Sequence, residues 1–139
     1  IGLRTSTHAF NGLKGTYESY NNFGKNVLGE RWVSHWGVHK KEATRGVIEQ
    51  GRTDDPLLRG VIDVFGDSDV YEAHPPADAK ILMRGRVLKG MNPVDVGADY
   101  KKKRSTDKVE QPVNDPMMPI AWTRELPVAG GEKKQNIFC

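Results

Sequence analysis

Two histidines four positions apart carry the clearest chemical signal in this chain. His35 and His39 stand in the segment SHWGVH. On a helix, that spacing places both imidazoles on one face, which is a common geometry for metal ligands. Gly37 lies between them and argues against a regular helix, so a loop that converges the two rings is an equal alternative. The segment predicts either a metal or substrate site, or a pair of packed or surface histidines beside Trp32 and Trp36.

A second polar cluster lies near the beginning of the sequence. The hydroxyl residues Thr5, Ser6 and Thr7 directly precede His8 in the stretch GLRTSTHAF, at the end of a short apolar strand. Ligands of open α/β sheets bind at the carboxyl ends of the strands, and three hydroxyls with an imidazole suit a polyol or sugar. The alternative is that the hydroxyls only satisfy backbone groups of a turn.

Acidic residues, a third histidine site and a thiol complete the candidates. Asp67, Asp69 and Glu72 supply three carboxylates within six positions. They can assist metal binding or acid–base work, or they can simply be solvated. His74, before two prolines, is expected at the surface. Cys139 lacks the surroundings of a catalytic thiol, and no phosphate-binding loop, dinucleotide fingerprint or Gly-x-Ser-x-Gly elbow is present.

The composition is that of a globular domain on the polar side. The chain has 139 residues, with 37% hydrophobic and 28% charged side chains and a net charge of +3. That charge is too small to predict nucleic-acid binding. The basic run 101–104 indicates a solvated loop or a contact with an anionic partner. No apolar run approaches the roughly 20 residues that span a bilayer. The single cysteine allows no disulfide within the chain.

Strands must position most of these side chains. Alternating apolar residues and turn signals predict strands over 1–5, 42–50, 61–71, 79–88, 120–124 and 136–139. One amphipathic helix is expected from Thr16 to a stop at Gly29, and residues 91–116 are expected to form a long polar loop. A complete α/β unit would have more helices to cover its sheet. The chain is therefore expected to be part of a larger domain.

Five stretches of the sequence together resemble the ThuA-like, or trehalose-utilisation, family. These are GLRTSTHAF, YESYNNFGKNVLGERWVSHWGVH, DPLLRGV, DVYEAHPPADAKIL and DPMMPIAWTRE. The resemblance implies an α/β fold, a flavodoxin-like three-layer sandwich related to class I glutamine amidotransferases. It also implies that residues 1–139 are a single partial domain that lacks an N-terminal βαβ part and a C-terminal helix.

The resemblance also implies roles for particular residues. Arg4 falls at the elbow where the amidotransferases carry a nucleophilic cysteine, and a guanidinium cannot replace that thiol. Cysteine-dependent glutamine hydrolysis is therefore not expected of this chain. Members of the family often carry histidines that match His8, His35 and His39. Trp36 and Asp55 stand where many members have further histidines, which weakens the case for a metal.

The expected function is metal-assisted chemistry on a sugar or keto-sugar, as a hydrolase or isomerase. A divalent ion such as Zn²⁺ would be held by His35 and His39, with Arg4 and His8 as catalytic residues. The residues expected to bind the substrate are Thr5, Ser6, Thr7 and Trp36. The alternative is a non-catalytic carbohydrate-binding or interaction module, with tryptophans stacking on sugar rings. The expected partner is a small sugar, with neither nucleic acid nor membrane; self-association and the cellular compartment stay open.

Overall fold

Strands dominate the chain in the computed structural model, which describes residues 1–2, 6–128, 130 and 133–139. Among these residues the strands are β1 (Ser34–His35), β2 (Thr44–Ile48), β3 (Val64–Gly66), β4 (Tyr71–Glu72), β5 (Lys80–Val87), β6 (Lys101–Lys103), β7 (Glu110–Pro112), β8 (Met118–Pro127) and β9 (Lys134–Phe138). The predicted strands at 42–50, 79–88, 120–124 and 136–139 are confirmed as β2, β5, β8 and β9. The predicted strand over 1–5 lies mostly outside the described residues.

Five strands form one antiparallel sheet in the order β3-β2-β5-β8-β9. The central strand β5 pairs with β2 through partners such as Gly85 and Gly46, and with β8 through partners such as Lys80 and Thr123. The register of β5 against β8 shifts on both sides of Met83, which marks a bulge in this pairing. Two small antiparallel pairs, β1 with β4 and β6 with β7, lie outside this sheet.

Two clusters of buried hydrophobic side chains form among the described residues. One cluster holds the side chains of Trp36, Val70, Val87, Ala98, Val113 and Met118. The other holds Leu58, Leu82 and Met83, with partly buried neighbours from β2, β3, β8 and β9. Ile120 on β8 packs against both clusters. The first cluster contains the residues that follow β1 and precede β4, so it supports the segment that carries His35.

The predicted flavodoxin-like fold is wrong. Every strand pairing among the described residues is antiparallel, whereas a flavodoxin-like sheet is built from parallel strands joined by helices. The helices are too short to cover a sheet face. The α-helical part of the described chain is the single turn Ser6–Ala9, and the other helical segments are two 3₁₀ turns (Gly15–Tyr20, Pro56–Leu58) and one π-helical turn (Gly24–Leu28).

The predicted helix from Thr16 to Gly29 is broken in its middle. Asn22 has a φ of +67°, a left-handed conformation that a right-handed helix cannot contain. Gly24 follows, and a Cβ at this position would lie 2.7 Å from the carbonyl oxygen of Glu30. The predicted stop is confirmed, because Gly29 has a φ of +92° directly after the second helical segment.

Two other segments also differ from expectation. The predicted strand over 61–71 is replaced by two short strands, β3 and β4, and Asp69 lies in the segment 67–70 between them. The predicted loop over 91–116 contains the hairpin of β6 and β7, with Lys101 opposite Pro112 and Lys103 opposite Glu110. Among the described residues, no helix is long and apolar enough to cross a membrane.

Candidate metal centre

The segment that carries the histidine pair is held against β4. Strand β1 pairs antiparallel with β4, so that His35 lies opposite Tyr71. Beyond His35 the backbone amides of Trp36 and Gly37 both donate to the carbonyl of Val70, at 2.7 and 3.1 Å. The chain then turns, and His39 returns toward His35. Of the two alternatives for this segment, a helix and a loop, the structure shows the loop, since His35 ends a strand and His39 begins a turn.

Close packing explains the glycine in this turn. A Cβ at position 37 would lie 3.1 Å from the Cβ of Asp69 and 3.5 Å from a carboxylate oxygen of Glu42. A larger residue at Gly37 would therefore push the loop away from the carboxylate that the two histidines contact. This is a requirement for close approach, not for an unusual backbone angle.

Asp69 joins the two imidazoles. Its Oδ2 lies 2.7 Å from His35 Nδ1 and its Oδ1 lies 3.0 Å from His39 Nδ1. The Asp69 side chain is fully buried, whereas 36% of the His35 side chain and 50% of the His39 side chain are exposed. The ring centroids of the histidines are 4.4 Å apart. One buried carboxylate thus orients two partly exposed imidazoles toward the same region of the surface.

These three residues can hold a metal ion. One potential ligand atom from each of His35, His39 and Asp69 lies within 4.8 Å of the others. A hydrogen bond from Nδ1–H to a carboxylate fixes the tautomer in which Nε2 carries the lone pair, and this is the usual support for a metal-binding histidine. The group can therefore act in two ways. Asp69 can be a direct ligand, or it can orient the rings while both Nε2 atoms bind the ion.

A frame of polar contacts supports the histidine loop. Glu42 accepts a hydrogen bond from the backbone amide of Val38 at 2.7 Å and one from the Tyr100 hydroxyl at 2.8 Å. Burial raises the pKa of Tyr100, and the hydrogen bond to Glu42 and the charges of Glu42 and Asp69 raise it further. Lys102 Nζ donates to the carbonyls at both positions 35 and 36, at 3.0 and 2.9 Å. The residues before and within β6 thus hold the backbone from which the first histidine projects.

A second buried carboxylate, Glu72, holds the turn between β6 and β7. It accepts hydrogen bonds from Ser34 Oγ at 2.9 Å, from the backbone amide of Ser105 at 2.8 and 3.0 Å, and from Thr106. His74 Nε2 lies 3.0 Å from its Oε1. Burial alone would raise the pKa of Glu72, but the bonds from Ser105, His74 and Ser34 outweigh it and lower the pKa from 4.5 to about 2.

A cavity of about 270 Å³ lies beside the histidine pair. Asp69, Tyr71 and Trp32 line it, and the rings of Tyr71 and Trp32 stand edge-on to His35 at centroid distances of 5.5 and 5.6 Å. Glu30 also lines the cavity. Burial raises its pKa, although the backbone amide and charge of His74 act in the opposite direction.

The structure brings some of the residues predicted for the site together and places others elsewhere. His35 and His39 come together, and Asp69 joins them from the predicted acidic cluster. Trp36 is fully buried, and its indole N–H donates to the carbonyl of Val113 at 2.8 Å. Its ring is part of the core and has no face open to a substrate. Asp67 is not a member of the group.

Of the predicted residues near the beginning of the chain, Ser6 and Thr7 are among those that the structure describes. Arg4 and Thr5 lie outside the described residues, as does the side chain of His8. Ser6 and Thr7 lie on the single α-helical turn, and Thr7 lines the cavity. Thr7 also accepts a hydrogen bond through its carbonyl from the backbone amide of Trp32 at 3.1 Å. These residues stay predictions as substrate contacts.

Comparison with known proteins supplies no relative: no family model, no curated protein and no solved structure matches this chain. The resemblance to ThuA-like proteins therefore stays a prediction. The flavodoxin-like fold that it implies is contradicted by the antiparallel sheet.

Proposed function

We propose that this chain binds a divalent metal ion, Zn²⁺ in the first instance, at His35, His39 and Asp69, and that the ion assists chemistry on a sugar or sugar derivative. The observation that carries the proposal is the single buried carboxylate that contacts both imidazoles through their Nδ1 atoms. Two imidazoles and a carboxylate are a donor set that zinc accepts.

The donor set favours a catalytic over a purely structural ion. Structural zinc sites use four protein ligands, whereas catalytic sites use three and keep a position for water or substrate. At most three protein ligands are offered by His35, His39 and Asp69. An ion held there would polarise a carbonyl or lower the pKa of a bound water, as required for hydrolysis or isomerisation of a keto-sugar.

The rigid support of the site is consistent with this role. Asp69 is held in the interior, and the backbone of His35 is fixed by Lys102. Ligands that are oriented in advance lose less conformational entropy on binding an ion, so the metal affinity depends on these contacts as well as on the donor atoms. Glu42 supports the loop between the two histidines in the same way.

The alternative proposal, a non-catalytic carbohydrate-binding module, has less support. It relied on Trp32 and Trp36 as stacking surfaces. Because Trp36 is fully buried in the core, only Trp32 remains for that role, and its ring already packs edge-on against His35. The paired imidazoles on a shared carboxylate are a more specific arrangement than one tryptophan.

Calorimetric titration with Zn²⁺ tests the metal site directly. We expect one ion per chain, and at least tenfold weaker binding for His35→Ala, His39→Ala and Asp69→Asn. His74→Ala is a matched control, because His74 also contacts a buried carboxylate and has the same 36% exposed side chain as His35. Binding that is absent, or that is equally weakened in the control, would refute the site.

Activity requires a separate experiment. The protein loaded with Zn²⁺ is assayed on a panel of glycosides, keto-sugars and disaccharides, before and after removal of the ion with a chelator. We expect turnover that disappears with the ion and is lost in Asp69→Asn. Stoichiometric zinc binding without any turnover would leave the metal site intact and would reject the catalytic role.

A further inference from the structure

We propose that the cavity beside Asp69 binds a planar aromatic ring that carries an N–H donor, with Glu30 as the acceptor of that donor. We further infer that the substrate of the metal site carries such a ring. Only this second statement rests on the proposed function. The cavity and its contacts do not depend on whether a metal binds.

The size of the cavity suits a ring system. A buried apolar cavity of about 150 Å³ accommodates one benzene molecule. The cavity described above measures about 270 Å³, so it has room for a fused bicyclic ring of about nine heavy atoms.

The described part of the wall is mainly apolar and aromatic. Phe65, Trp122, Val64 and Ile120 line it together with Trp32. The ring of Trp122 is fixed, because its indole N–H donates to the carbonyl of Leu28 at 2.8 Å. Surfaces of this kind bind the faces and edges of other aromatic rings more favourably than they bind a polyol, whose hydroxyl groups would lose their hydrogen bonds to water.

Glu30 provides the polar contact. Its Oε2 accepts a hydrogen bond from the backbone amide of His74, which fixes the carboxyl group at the cavity wall. Glu30 is partly buried, and such a carboxylate gains from each further donor that replaces lost water. Asp69 and Glu72 also line the cavity, but their oxygens already contact histidines and hydroxyls. The thiol of Cys139, another wall residue, stays neutral because burial, and then the charge of Glu30, raise its pKa to about 11.

The cavity also lies next to the metal centre. Trp32 and Tyr71 form part of its wall and pack edge-on against His35, and Asp69 belongs both to the wall and to the histidine pair. A ring bound in this cavity would therefore lie beside the imidazoles. The polar remainder of the same molecule would then be placed near the ion.

The test compares indole with benzofuran, which has the same shape but an oxygen in place of the N–H. Binding to the whole chain is measured by calorimetry and by ligand-observed NMR. We expect indole to bind at least about tenfold more tightly than benzofuran, the usual difference for one hydrogen bond to a charged acceptor. D-glucose should not compete with indole.

Variants locate the site and keep the result interpretable. Glu30→Ala should abolish the preference for indole over benzofuran, whereas Glu18→Ala, which removes an exposed carboxylate elsewhere, should preserve it. Val64→Phe, which adds volume to the wall, should weaken both ligands by at least fivefold. Each variant is checked for an unchanged thermal melting transition before it is compared.

The outcomes separate this inference from the metal proposal. The double variant His35→Ala and His39→Ala should lose zinc but still bind indole. Equal affinity for indole and benzofuran, no binding of either, or displacement by glucose would overturn the inference even if zinc binds. Indole binding in a chain that binds no zinc would support the ring site and refute the proposed function.

Discussion

Replacement of Glu72 by glutamine should remove much of the acid-sensitive stability of this fold. The side chain of Glu72 is buried and accepts hydrogen bonds from Ser34, Ser105 and Thr106 as well as from His74. All of these groups can act as donors, which suits a carboxylate. A glutamine side chain, like a protonated glutamate, would turn one of its own donors toward them.

The magnitude follows from the pKa of Glu72. On folding this pKa falls from 4.5 to about 2. Because the folded pKa is the lower one, the contribution is complete above pH 4.5 and is lost as the pH falls through 2. At about 1.4 kcal/mol per pKa unit, Glu72 contributes about 3 kcal/mol at pH 7 and about 1.5 kcal/mol at pH 3.

Urea denaturation followed by tryptophan fluorescence measures this contribution between pH 7 and pH 3. We expect Glu72→Gln to lower the free energy of unfolding by about 3 kcal/mol at pH 7, and the difference from wild type to shrink by about half at pH 3. Glu110→Gln, at an exposed position of β7, is the control and should change little at either pH. A difference that stays constant with pH would show that the variant acts through packing, and the argument from the carboxylate charge would fail.

Three other predictions test separate parts of the structure. At pH 8, Cys139 should react with a disulfide reagent about 100-fold more slowly in the folded than in the urea-unfolded chain, because a pKa raised from 9.0 to about 11 leaves little thiolate. The reaction rate of the folded chain should rise with pH up to about 11. Equal rates in the folded and unfolded chains would contradict this prediction. Gly46→Ala should destabilise the fold by about 1–3 kcal/mol in the urea denaturation assay, because the added Cβ would lie 2.5 Å from Met83 Sδ. Gly66→Ala in the adjacent strand is the control. Its added Cβ meets no atom within 4 Å, so its effect on stability should be close to zero. Trp36→Phe should cost about 2–4 kcal/mol, since it removes a buried hydrogen bond and leaves a void; an unchanged melting temperature would show that the indole is not needed in the core.

The strands were predictable because they carry their own local signal. Alternating apolar residues mark β5, and the same pattern located β2, β8 and β9 to within a few residues. The direction in which strands pair is not encoded in that pattern. Parallel and antiparallel sheets differ in their long-range connections, and the expectation of a parallel sheet came from a resemblance and not from the alternation itself.

The site was predictable only in part for a related reason. The spacing of His35 and His39 marks a possible ligand pair within one segment. Asp69 lies thirty positions beyond His39, and among neighbouring carboxylates nothing in the sequence distinguishes it from Asp67. The contact of Lys102 with main-chain carbonyls could not be predicted, because any residue supplies a carbonyl group and only the fold determines which ones are near.

The hairpin of β6 and β7 contributes no ligand to the metal centre, yet it holds the chain on which His35 stands. Lys102 donates to two carbonyls at one end, and Ser105 donates to Glu72 at the other. Local opening of the hairpin would therefore release the first imidazole, and an ion that binds only the closed form would oppose that opening by mass action. If the proposed ion binds, its affinity and the amide exchange of residues 101–112 would both depend on this opening equilibrium. A substitution far from any ligand atom would then change how tightly the ion is held.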